Sequence, residues 1–199
     1  MTFESVTDAL RRYAVELDRI GFQNDFADGL TEPQFREIEA EAGFRLSEDV
    51  RAVWSWHAGT SVPRGQPTTN KSNIVPYAAF PDLRSAIRSG DGHANAAAEL
   101  EQIPFDEKHL VKLCGHGQDP FFIDSTDPDA PDSPTLRTVW GEGIFTVPPI
   151  TVTERINLWI HAVQVGAFYV DDTGKFKENN GLLSEEERFL LGRYWQPPQ

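Results

Sequence analysis

Leu110-Val111-Lys112-Leu113-Cys114, Phe121-Phe122-Ile123-Asp124 and Leu136-Arg137-Thr138-Val139-Trp140 are three short apolar or alternating runs separated by turn residues. No helix fits between them, so they predict an antiparallel meander rather than βαβ crossovers. Ile144-Phe145-Thr146-Val147 suits a fourth strand, and Pro148-Pro149 ends the extended structure.

Helices flank this middle. Val6, Leu10, Tyr13, Leu17 and Ile20 recur at helical spacing, with Gly21 as a stop. Thr31 with Gln34 forms a capping box, Pro33 sits in the first turn, and Phe35, Ile38 and Ala42 make the stripe that Gly43 closes. Ser47 caps a third helix carrying Glu48, Asp49, Val50, Val53 and Trp54, which runs out at His57-Ala58-Gly59. Residues 60–73 are nearly all polar, Gly or Pro and read as a loop, followed by an extended piece at Ile74-Val75-Pro76-Tyr77. A helix starting near Asp82 carries Leu83, Ala86 and Ile87 up to Gly90, and the Ala-rich run 94–101 reads as a separate helix. After the strands, Thr151 with Glu154 and Ser184 with Glu187 make two more capping boxes. The first opens a stripe of Ile156, Trp159, Ile160 and Val163; the second opens a helix with Phe189, Leu190 and Tyr194. The expected fold is α+β: N-terminal helices, a central mainly antiparallel sheet, and C-terminal helices packed on it.

The 199 residues suit one domain, 1–199, without an internal repeat or a linker long enough to divide it. A chain of this length buries roughly 70% of its unfolded surface, so folding requires neither disulfide nor metal. Thirteen Phe and five Trp exclude a disordered chain. Asp and Glu number 31 against 18 Lys and Arg, a formal net charge of −13 that opposes binding to nucleic acid or anionic membrane. Cys114 is the sole cysteine and has no internal disulfide partner. Met1-Thr2-Phe3-Glu4 lacks the basic start and apolar run of a signal peptide, and no window approaches the ~20 apolar residues of a membrane span. These features set the expectation of a soluble cytoplasmic protein.

Motifs of catalysis are missing. The sequence contains no Gly-x-Ser-x-Gly, His-Glu-x-x-His, phosphate loop or dinucleotide fingerprint. Gly115-His116-Gly117-Gln118 follows a strand, yet it has no Lys, Ser or Thr to complete a phosphate cradle and reads as a β-turn. His57, His116 and Asp124 form the trio best suited to metal or hydrolase chemistry, but their spacing fits no ligand pattern. Cys114 inside a strand reads as a small buried hydrophobe. Glu99 with Glu101 and Asp171 with Asp172 are carboxylate pairs that need a pocket before they signify acid–base work. The expectation is therefore a non-enzyme with no catalytic residues, metal or cofactor.

Charge is more informative. Asp119, Asp124, Asp127, Asp129 and Asp132 fall within fourteen residues that contain no basic side chain. Asp127-Pro128-Asp129-Ala130-Pro131-Asp132 is a Pro-stiffened loop between strands, expected to project its carboxylates into solvent. One reading is a hydrated turn that guards a sheet edge. The other is an acidic knob that steers a basic protein partner, with Trp140 as an aromatic anchor.

Residues 29–59 and 110–168 resemble the SUKH superfamily. Glu39 matches that family's central helical Glu, Gly43 its helix-ending Gly, Val53, Trp54 and Trp56 its aromatic-rich helix, and Gly59 the glycine that follows. Leu113 to Gly117, Phe121-Phe122-Ile123-Asp124 and Thr138-Val139-Trp140 suit its strands, and Thr153 to about Gly166 its following helix. Ser47 stands where the family has Pro, and Ala58 where it has Asn. The resemblance implies a non-enzymatic domain, in bacteria often an immunity protein that binds a co-encoded nuclease or deaminase toxin, in fungi a regulator of cell-wall synthesis. It also implies that Glu39 accepts hydrogen bonds at the helix junction and that Asp124 holds the turn after its strand. The leading expectation is a toxin-neutralising protein whose partner is a basic toxin domain. The alternatives are a regulatory or scaffold module for an endogenous protein, and an uncharacterised hydrolase.

Overall fold

The computed structural model describes residues 5–60, 70–99, 109–115, 120–137 and 150–192. Three helices open the chain: α1 (Val6–Arg19), α2 (Glu32–Ala42) and α3 (Glu48–Trp56). The last two start on the caps their sequences offer. Gln34 Oε1 accepts the Thr31 N–H at 2.8 Å, and Ser47 Oγ accepts the Val50 N–H at 3.4 Å. Glu39 then ties α2 to α3, accepting from the Leu46 N–H and from Arg51 Nη1, both at 3.0 Å.

Beyond α3 the expectations need two corrections. Residues 61–69 of the expected loop lie outside the described residues, but Asn70–Ser72 form a 3-10 turn and Asn73 already belongs to a strand. That strand, β1 (Asn73–Val75), pairs with β2 (Ala78–Ala79), and it stops before Tyr77, whose φ of 62° turns the chain. The two helices expected on either side of Gly90 are a single one, α4 (Leu83–Glu99). Gly90 does not end it. A Cβ there would lie 1.7 Å from the Leu110 carbonyl oxygen, so glycine serves the close approach of α4 to the neighbouring strand.

The central sheet is an antiparallel meander, with β3 (Leu110–Cys114), β4 (Phe121–Asp124), β5 (Pro134–Arg137) and β6 (Ile150–Thr151) side by side in chain order. Val111 pairs with Ile123, Phe122 with Leu136, and Thr135 with Ile150. β5 starts two residues earlier than expected. Thr138 to Pro149, including Trp140 and the proposed strand at Ile144, lie outside the described residues. The fourth described strand, β6, follows the two prolines directly.

Thr151 caps α5 (Val152–Gln164) through the expected box, and Ser184 caps α6 (Glu185–Leu190) in the same way. Between them lies a hairpin that the expectations omit, β7 (Phe168–Val170) with β8 (Phe176–Glu178). Its turn is organised by Asp171, whose Oδ1 accepts the N–H groups of Thr173 and Lys175, both at 2.9 Å.

The fold is α+β. Among helix pairs α1 packs most extensively on α5, while α4 covers β3. Neighbouring Phe122 and Ile123 are both fully buried, so the sheet is covered on both faces. Tyr13 joins the helical layers, its ring 5.6 Å from Trp159 and its hydroxyl donating to the Ile74 carbonyl at 2.6 Å. Among the described residues, no helix is long and apolar enough to cross a membrane.

Candidate functional site

The loop joining β4 to β5 carries most of the sequence's acidic run. Asp127, Asp129 and Asp132 are exposed, as the proline spacing suggests. Asp127 Oδ1 accepts the Asp129 N–H at 3.1 Å, an Asx turn that shapes the tip. Asp124 behaves differently. It is only 8% exposed, and its Oδ1 accepts from both the N–H and the hydroxyl of Thr126. Asp124 therefore holds the turn after β4 and presents no carboxylate to a partner, unlike the aspartates it was grouped with. Asp119 and Trp140 lie outside the described residues.

The fold also supplies a cation that the local sequence lacks. Arg45, from the turn before α3, reaches Asp129 at 3.1 Å, with both side chains about 70% exposed (69% and 75%). A pair this solvated contributes little to stability.

What fixes the loop is its base. Ser47 N–H donates to Ser125 Oγ at 2.7 Å, and Ser133 Oγ donates to Ser47 Oγ at 2.8 Å. Ser133 N–H donates to Asp49 Oδ2 at 2.6 Å. Ser47, Ser125 and Ser133 are all fully buried or nearly so, at 0–1% exposure. Both feet of the acidic loop are thus bonded to the first turn of α3.

This anchoring forms a groove of about 730 Å³ whose walls include Val6, Asp49, Ala52, Pro131, Asp132 and Thr153. The first turns of α1, α3 and α5 all open onto it. Burial pushes the Asp49 carboxyl above its ordinary range, the Ser133 N–H opposes that rise, and the charges of Asp132 and Glu48 reinforce it. The groove therefore concentrates negative charge in a place where one carboxylate ionises reluctantly. Glu48 and Asp49 were legible only as acids in a helix's first turn; their meeting with Asp132, across more than eighty residues, has no signal in the sequence.

The metal or hydrolase trio is not assembled. His57 ends α3, its Nδ1 3.3 Å from the Ala27 carbonyl oxygen and its ring 4.4 Å from Trp56 and 5.4 Å from Phe26. Burial lowers its pKa, favouring the neutral ring. Asp124 adjoins Ser125, which bonds to Ser47 at the opposite end of the same helix, roughly 15 Å away at 1.5 Å per residue. His116 and Glu101 lie outside the described residues. Asp171 is occupied by its turn, and those hydrogen bonds, chiefly from the Thr173 hydroxyl, lower its pKa. Among the described residues, no three metal-ligating side chains converge. No protein-family model matches the chain, and no curated protein is similar enough to stand as a relative.

Proposed function

We propose that this chain is a non-enzymatic protein-binding domain of the SUKH type, acting in the cytoplasm as an immunity protein that neutralises a basic toxin by binding it. One observation carries the reading. An exposed acidic loop is held rigidly, at both feet, beside two further carboxylates around one groove. A preformed acidic face binds with little ordering cost and steers a cationic partner before contact. A toxin that acts on nucleic acid presents a basic cleft, and this face competes for it as nucleic acid does.

The test is co-expression with the products of adjacent genes, followed by association kinetics on any pair found. Asp127→Asn, Asp129→Asn and Asp132→Asn together are expected to slow association about tenfold or more at low salt and to flatten its salt dependence. Protection and association that survive all three substitutions unchanged would overturn the reading.

A further inference from the structure

Tyr77 occupies a backbone conformation that its residue type disfavours. Val75 pairs with Ala78, leaving Pro76 and Tyr77 as a two-residue turn, and Tyr77 carries a φ of 62°. Proline suits the first turn position and glycine the second, so a tyrosine there is held under strain. Its ring is 45% exposed, so burial does not offset that strain. The ring instead lies beside Lys177, whose Nζ is 5.6 Å from its centre, and an exposed contact of that length is weak.

Lys177 belongs to the outward face of the β7–β8 hairpin. It pairs directly across from Tyr169, and Asp171 and Lys175 share that face one step nearer the turn. The inward face is apolar: Phe168 and Phe176 are fully buried, and the Phe176 ring lies 4.5 Å from Phe22. Five large apolar side chains are exposed among the described residues, and four of them gather at this hairpin. Tyr77 and Tyr169 adjoin Lys177. Val165 and Leu182 lie at the hairpin's base, where Asn179 N–H donates to the Ala167 carbonyl at 2.7 Å and a Cβ on Gly166 would lie 3.8 Å from Leu182 Cδ1. Exposed apolar residues scattered singly need no explanation, whereas a gathered set rich in tyrosine marks a contact surface.

Charge decides what the surface fits. Residues Tyr169 to Lys177 contain two aspartates and two lysines, so the hairpin is locally neutral in a chain of net charge −13. Neither Lys175 nor Lys177 forms an ion pair among the described residues. A partner of one sign would match half of these charges and oppose the rest. A second copy turned about a two-fold axis matches both, because each copy's aspartates then face the other's lysines. Two copies that repel each other elsewhere also meet least opposition at this neutral face.

We propose that the outward face of the β7–β8 hairpin, with Tyr77 and Leu182, is a self-association surface on which a second copy of this chain docks about a two-fold axis. The strained Tyr77 and the exposed Tyr169 supply the apolar contact, and the aspartates and lysines fix its register. The surface shares no residue with the acidic groove, so it stands or falls independently of toxin binding.

Sedimentation equilibrium of the full chain, from about 10 µM to about 1 mM, tests it. The mean mass is expected to rise with concentration from the 22.3 kDa of one chain toward twice that value. Tyr169→Ser with Leu182→Ser is expected to weaken association at least tenfold; both side chains are exposed, so the fold is retained. Tyr77→Gly is expected to weaken it too, without lowering the melting temperature of the dilute chain, because glycine adopts the same φ unstrained. Val15→Ser, at the fifth exposed apolar side chain, on α1, is expected to leave association unchanged. A single-chain mass at every concentration would overturn the surface, as would growth beyond two copies. So would a Tyr169→Ser, Leu182→Ser chain or a Tyr77→Gly chain that associates as the parent does.

Discussion

At the scale of single residues, Tyr13 shows how polarity is handled inside this core. Its ring is fully buried, and its hydroxyl satisfies the Ile74 carbonyl of β1. Burial keeps the phenol protonated, with its pKa well above the ordinary value. Tyr13→Phe removes a donor while leaving the acceptor buried, and is expected to cost about 1–2 kcal/mol in denaturant unfolding, with little change in slope. Asp49 makes the opposite case. Its folded pKa is raised, so ionisation opposes folding, and stability increases as pH falls through that pKa. Asp49→Asn preserves an oxygen acceptor for the Ser133 N–H and removes the repulsion from Asp132 and Glu48. The variant is therefore expected to melt above the parent at pH 7, with the difference shrinking as pH drops and the parent's carboxyl protonates. A constant difference from pH 7 to pH 4 would show that its charge is irrelevant.

At the scale of elements, Gly90 separates propensity from packing. Ala is the better helix former by about 1 kcal/mol, which argues for Gly90→Ala as stabilising. The added Cβ, however, meets the backbone carbonyl of Leu110, which cannot rotate away. Packing should prevail, so Gly90→Ala is expected to lower stability by about 1–3 kcal/mol, read from chemical unfolding. The same residue explains why the sequence suggests two helices where the fold has one: glycine marks a stop in the sequence, and only a partner twenty residues away reveals its other use. Capping boxes at Thr31, Thr151 and Ser184 were legible because their partners lie three residues off. The β7–β8 hairpin had a local signal in Asp171-Asp172-Thr173-Gly174, but its three-residue strands are too short for periodicity to register. The acidic loop was readable as a loop, whereas the inward turn of Asp124 depends on Thr126 and on burial beneath neighbouring elements. The groove is set by α1, α3 and α5 meeting, and contacts of that range leave no mark on any single segment.

At the scale of the whole molecule, the net charge of −13 competes with the ion pairs that the fold assembles. Those pairs are local and mostly solvated. Arg84 meets Glu37 and Glu41, both at 2.7 Å, with every partner at least 40% exposed. Arg51 with Glu39 is better sheltered, at 24% and 18% exposure, and helps lock α2 to α3. Exposed pairs contribute about 0–1 kcal/mol each, so they do not offset a broad excess of carboxylates. That excess is long-ranged: residues 1–60 carry 12 acidic against 6 basic side chains, and 61–135 carry 11 against 6. Raising ionic strength from 0.01 M to 0.15 M shortens the screening length from about 30 Å to about 8 Å. Repulsion across the molecule then fades faster than attraction between groups in contact. Sodium chloride is therefore expected to raise the melting temperature by a few degrees over this range, and a fall would show that the ion pairs dominate.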